Sequence, residues 1–196
     1  AEDPNVRILQ WVSELRAFIN FMIANDVKSY LEIGVKTGQL IVFMKNVLEI
    51  NKVYGCDIAN TSRYGLDLKD YGIGFFCGDS RSKEYLEWRI GLKNIDMVLI
   101  DGDHSERGVR ADYKRELDLP HKFLAFHDSS GIKAVRRFWR NEVGGKKIEF
   151  VNAKKTSDFL YRSHKKKRHC GIGVTCNPSV EINLDFDITG TTLDQG

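Results

Sequence analysis

The chain has 196 residues, 42% of them hydrophobic and 29% charged, with a formal net charge of +3. That length can bury a core without staples, and the ordinary composition excludes disordered, collagen-like and coiled-coil chains. Four cysteines without a C-x-x-C pair do not make a disulfide framework. Their usage makes a reducing, cytoplasmic setting the default expectation; no apolar run approaches a membrane span and the start lacks a signal-peptide order, so no membrane contact is expected.

In chain order, Val6, Leu9, Val12, Leu15, Phe18, Ile19 and Met22 keep helical spacing and predict an amphipathic helix over roughly residues 5–25. Strand-like runs follow at Ser29 to Val35, Val53 to Ile58, Ile73 to Cys77, Met97 to Ile100 and Phe123 to Phe126. Helical patterns separate them at Leu40 to Ile50, weakly near Leu66, at Glu84 to Ile90 and at Val109 to Leu119, and another follows at Ile132 to Trp139. This rhythm predicts right-handed βαβ units and a doubly wound, Rossmann-like α/β fold with a mainly parallel sheet. Two further apolar stretches, Ile148 to Val151 and Gly171 to Cys176, predict an antiparallel hairpin that closes the sheet, making seven strands in all.

The hairpin's connection carries the run Lys165-Lys-Lys-Arg-His169, expected to be a solvated loop, with nucleic-acid or membrane binding the less favoured reading. Beyond Pro178 the chain has Glu181, Asp185, Asp187 and Asp194 and no basic residue. The expected organisation is one domain over residues 1–178, with its N-terminal helix within 1–27, and an acidic tail over 179–196 that is loosely docked or frayed.

In open parallel sheets the ligand lies beyond the carboxyl ends of the strands. The first such exit reads Leu31-Glu-Ile-Gly-Val-Lys-Thr-Gly38, where Gly34 allows a tight turn and Gly38 a close approach of the next helix to a ligand. Asp57 ends the second strand about twenty residues later, where adenosine-binding folds bond the ribose hydroxyls. Gly78-Asp79-Ser80 follows the third strand with a carboxylate suited to an adenine amino group, although Asp79 or Ser80 is also placed to cap a helix. The fourth exit, Asp101-Gly-Asp-His104, and the fifth, His127-Asp128, concentrate carboxylates and imidazoles. Asp103 or Ser105 is expected to cap the next helix.

Together, the glycine turn, the acid after strand two, GDS after strand three and DGDH after strand four resemble class I S-adenosylmethionine-dependent methyltransferases. IDMVLIDGDHSERGVRADY, FLAFHDSS and GIKAVRRFW are similar to the small-molecule O-methyltransferases related to the macrocin and cephalosporin-cluster enzymes, over about residues 28–140. The resemblance implies that Glu32, Gly34, Val35 and Gly38 frame the methionine end of S-adenosylmethionine, that Asp57 and Ile58 hold the ribose, and that Gly78, Asp79 and Ser80 meet the adenine, with Asp101 completing the set. It implies a divalent cation, Mg²⁺ or another, on Asp101 and Asp128, and His104 as the general base beside Asp101. Lys36 stands where many relatives keep a third glycine, and His127 where metal-dependent relatives keep a carboxylate or amide; a histidine there admits Mn²⁺ or Fe²⁺.

The implied acceptor is a hydroxyl of a small molecule or a sugar. A non-catalytic nucleotide- or nucleic-acid-binding module and a nicotinamide dehydrogenase are the competing readings; the second lacks the G-x-G-x-x-G that a pyrophosphate needs. The sequence leaves the oligomeric state open.

Overall fold

In a computed structural model, the structure describes residues 8, 10–152, 170–189 and 191–194. The elements run α1 (Val12–Ala24), β1 (Ser29–Ile33), α2 (Gln39–Leu48), β2 (Lys52–Asp57), β3 (Gly74–Cys77), α3 (Lys83–Gly91), β4 (Ile95–Ile100), α4 (Glu106–Leu117), β5 (His121–His127), α5 (Lys133–Asn141), β6 (Lys147–Asn152), β7 (Ile172–Cys176) and β8 (Thr191–Asp194). They build one sheet in the order β3-β2-β1-β4-β5-β7-β6-β8. Strands β1 to β5 pair in parallel, whereas β7 is antiparallel to β5 and to β6.

The central strands read as continuous apolar runs because both faces of the sheet are covered. Met97 and Leu99 of β4 face the cluster that holds Phe18, Phe21 and Met22 of α1, while Val98 and Ile100 face the cluster that holds Val109 and Tyr113 of α4 and Phe138 of α5. Strand β5 repeats the pattern, with Phe123 and Ala125 on the first face and Leu124 and Phe126 on the second.

Three expectations change. The first helix starts at Val12 rather than near residue 5, because Trp11 takes an extended conformation and buries its ring; Val6 and Leu9 lie outside the described residues. Near Leu66 two 3-10 turns replace a helix, since Asn60 and Asp67 cap them and Gly65 and Gly72, both left-handed, end them. The sheet has eight strands, not seven, because Thr191–Asp194 pairs antiparallel with β6. The chain reaches that edge by crossing α1, where Asn25 exchanges hydrogen bonds with Asn183 and the Phe186 ring meets Phe21 edge-on. The Lys165–His169 run lies outside the described residues. Among the described residues no helix is long and apolar enough to cross a membrane.

Candidate active site

The strand order reverses beside β1, which pairs with β2 on one side and β4 on the other, and the carboxyl ends of β1 and β4 are where open α/β sheets of this kind place a ligand. Gly34 sits at that point with φ +95, and a Cβ there would stand 2.3 Å from the Asp101 carbonyl oxygen, so two strand exits touch only because residue 34 lacks a side chain. Gly38 is also left-handed and begins α2 with no side-chain cap. The space its Cβ would fill lies against Leu66, Leu68 and Thr61, so this glycine admits neighbouring side chains in addition to any ligand. Lys36, at φ +52, adopts without a glycine the backbone conformation that a glycine would take most easily. Its amide donates to Asp57 Oδ2 at 2.7 Å, and Ala59 N donates to Oδ1 at 2.9 Å. Asp57 thus ties the glycine turn to the end of β2. Val35 is buried beneath the turn, whereas Ile58 is 78% exposed.

After β3, Gly78 N donates to the Asp57 carbonyl. Asp79 accepts from Arg81 Nε and Nη2, both at 2.8 Å, and from the Arg81 amide, which holds its carboxyl below the usual carboxylate range. Ser80 Oγ donates to Asp112 Oδ1 at 2.6 Å. Burial pushes the Asp112 carboxyl up to about 6 against that hydrogen bond. Neither Asp79 nor Ser80 caps α3; Ser82 does, accepting from Tyr85 N. Helix α4 is capped by Ser105, and Asp103 accepts from the Ser105 amide.

The ends of β4 and β5 meet in one cluster. Asp101 Oδ1 is 2.9 Å from His104 Nε2 and 2.8 Å from His127 Nδ1. Asp128 Oδ2 lies 3.5 Å from His104 Nδ1 and 3.6 Å from His127 Nδ1. Asp128 has φ +59, a conformation a short acid tolerates better than most residues. Burial raises the Asp101 carboxyl, but the His127 charge and the His104 hydrogen bond outweigh it and hold it at about 2. In return, the hydrogen bond to Asp101 lifts His104 above its ordinary value despite burial. Burial works against a charged His127, yet Asp101 and Asp128 carry it well above the ordinary histidine value. Glu32 is buried one strand over, its Oε2 accepting from the Tyr30 hydroxyl at 3.0 Å. Burial, then the Asp101 charge, drives its carboxyl well above the carboxylate range, in the opposite direction to Asp101.

Three participants went unsignalled in the sequence. Glu14 of α1 is fully buried and accepts from Asn152 N at 2.9 Å and Gly171 N at 3.1 Å, pinning the end of β6 to the start of β7. Cys170 places its carbonyl to receive Ser130 N and Gly131 N, and its thiol lies with His127 and Asp128. Arg81 holds Asp79. Glu14 and Cys170 enter through chain crossings from elements distant in sequence, whereas Arg81 stands two residues from Asp79, and no local motif marks any of the three.

No family model and no curated protein matches the chain. Solved structures do. The cofactor-bound Rv0187 from MTB is 14% identical, with a TM-score of 0.61 over 90% of this chain and 84% of its own. The O-methyltransferase from Bacillus cereus in complex with SAH is 12% identical, with a TM-score of 0.59 over 88% of this chain and 85% of its own. The MycE methyltransferase from the mycinamycin biosynthetic pathway, in complex with Mg and SAH, is 22% identical with a TM-score of 0.50 and covers 64% of this chain; the match spans 36% of MycE. What these likenesses establish is the architecture: the chain is built on the Rossmann-like α/β fold that these structures share.

Proposed function

We propose that the chain is an S-adenosylmethionine-dependent methyltransferase that moves a methyl group to a hydroxyl of a small molecule or a sugar. The observation that carries this reading is the meeting of Glu32, Asp57 and the Asp101–His104 pair at the carboxyl ends of β1, β2 and β4, around the reversal in strand order. The fold neighbours support it, since MycE and the Bacillus cereus protein carry SAH and one MycE complex holds mycinamycin VI.

The residues fit the cofactor. A carboxylate has about four lone-pair sites; two at Asp57 serve the Lys36 and Ala59 amides, which leaves the outer pair for vicinal ribose hydroxyls. Ile58 offers an exposed apolar face next to it. The uncapped start of α2 presents backbone N–H groups to an amino-acid carboxylate. Gly78, Asp79 and Ser80 flank the adenine end, with Arg81 sharing Asp79. When bound, S-adenosylmethionine supplies a methyl group on a sulfonium, and the protein must ready the acceptor oxygen.

His104 does so as general base. Asp101 fixes its ring through Nε2 and stabilises the imidazolium that forms when it takes the hydroxyl proton. Glu32 is bonded to Tyr30, and burial with the Asp101 charge pushes its carboxyl up, which disfavours a second negative charge beside Asp101. A divalent cation on Asp101 and Asp128 would assist by lowering the pKa of the hydroxyl. The donors around those carboxylates, however, are imidazoles rather than the oxygens Mg²⁺ prefers. No step above depends on the ion.

Calorimetry with S-adenosylmethionine, S-adenosylhomocysteine and NAD tests the reading. Binding of the first two and not of NAD is expected; binding of NAD alone, or of none, refutes it.

A further inference from the structure

The donors at the ends of β5 and β7 select a class of ion. Among the described residues, a ring nitrogen of His127, a carboxylate oxygen of Asp128 and the Cys170 sulfur lie within 4.8 Å of one another. His127 and Asp128 are buried, and Cys170 is half-buried at the entry to β7. We propose that His127, Asp128 and Cys170 form a binding site for a borderline-soft transition dication of the Zn²⁺ class.

Two independent observations support the site. His127 Nδ1 is 2.8 Å from Asp101 Oδ1, while its Nε2 is buried and makes no hydrogen bond of good geometry among the described residues, the Cys170 thiol being the ring's further polar neighbour. An imidazole that gives one N–H to a carboxylate and keeps the other nitrogen unanswered has the arrangement of a metal-bound histidine, in which the carboxylate sets the tautomer and orients the ring. In addition, the donor types disagree with Mg²⁺, which prefers oxygen and dehydrates reluctantly. One imidazole, one carboxylate and one thiol make a set that zinc, cobalt or ferrous ions satisfy.

Asp101 takes a positioning role here and Asp128 stays a ligand. Three protein donors leave a coordination position for water or a hydroxyl, the pattern of a catalytic rather than a structural zinc site. The ion joins as the Cys170 thiol, and the ring where it is protonated, release their protons to solvent. Cys170 is held for this by its own backbone: its carbonyl receives Ser130 N and Gly131 N, and the next residue, Gly171, is clamped by Glu14.

The proposal extends the cation part of the methyltransferase reading, and its test needs neither cofactor nor acceptor, so each can fail alone. The metal-stripped chain is titrated calorimetrically with Zn²⁺ and with Mg²⁺, and the Co²⁺-loaded chain is examined by absorption spectroscopy. One Zn²⁺ per chain, bound at least 100-fold more tightly than Mg²⁺, is expected. Co²⁺ should give a thiolate-to-metal charge-transfer band that Cys170→Ser abolishes and Cys77→Ser, at an exposed thiol remote from the cluster in sequence, leaves in place. Asp101→Asn should weaken Zn²⁺ by roughly 10- to 100-fold, the usual cost of losing an orienting carboxylate. A Co²⁺ spectrum of the unmutated chain without the charge-transfer band overturns the site, and it does so without relying on the folding of any variant. Equal affinity for Mg²⁺ and Zn²⁺, or Zn²⁺ binding without a one-to-one limit, overturns it as well.

Discussion

Glu14 makes the pH dependence of stability predictable. Its carboxyl is fully buried, and desolvation, opposed by hydrogen bonds from the Asn152 and Gly171 amides, lifts it from its ordinary 4.5 to about 7. Because the folded chain holds this proton more tightly than the unfolded one, the group does not penalise folding below about pH 4.5. Its ionisation erodes stability as the pH rises towards 7, and above 7 the loss is complete. A difference of this size corresponds to about 3 kcal/mol at about 1.4 kcal/mol per pH unit. Glu14→Gln cannot ionise, and it also replaces one acceptor with a donor facing an amide, which adds a pH-independent cost of about 1–3 kcal/mol. Urea unfolding of both proteins between pH 4.5 and pH 8.5 separates the two effects, since every other titrating group is common to both. The stability of the parent relative to the variant should fall by about 3 kcal/mol across that range. A difference that stays flat, or that grows with pH, refutes the assignment of Glu14 as a buried, proton-holding clamp.

Asp57→Ala should weaken S-adenosylmethionine in calorimetry by tenfold or more, since it removes the ribose acceptor and releases the Lys36 amide. His104→Ala should leave that affinity intact while slowing methyl transfer by about 10²- to 10⁴-fold; an equal loss of binding would make His104 structural. Because Asp101 raises the His104 pKa, the parent's turnover should rise with pH through a value above 6.5 as the base is freed, and this limb should vanish in His104→Ala. Arg89 and Glu116 form a fully buried ion pair at 2.9 Å, with Tyr85 donating to the same carboxylate. Glu116→Ala leaves the buried guanidinium with only the Lys93 and Pro120 carbonyls and should cost about 3–5 kcal/mol in denaturant unfolding, whereas a loss under 1 kcal/mol would show that those carbonyls or water satisfy Arg89.

How far the site can be read before folding differs from residue to residue. Asp57 and Asp101 are legible because a polar residue that ends an apolar run must lie at a strand exit, and strand exits carry ligands in this fold class. His104 is legible through its spacing from Asp101, which the hydrogen bond at 2.9 Å uses directly. Asp79 is legible as to place but not partner, since Arg81 claims its carboxylate. Ser80 turns instead to Asp112, a residue on α4 that no spacing could connect to it.

Patterning along the chain determined the α/β class, the order of the elements and the strand exits where acids gather, because hydrophobic period and turn chemistry act over a few residues. Tertiary structure alone decided which of those acids meet. β1 lies between β2 and β4, so Gly34 reaches the Asp101 carbonyl, and β5 pairs with β7, so His127 and Cys170 share a pocket of charge. Segments far apart in sequence were brought together there because burying both faces of the sheet outweighed the entropy of closing the loops between them. The eighth strand has the same origin: the segment that supplies it is polar, and it is held by the open edge of β6 and by the apolar residues that precede it against α1.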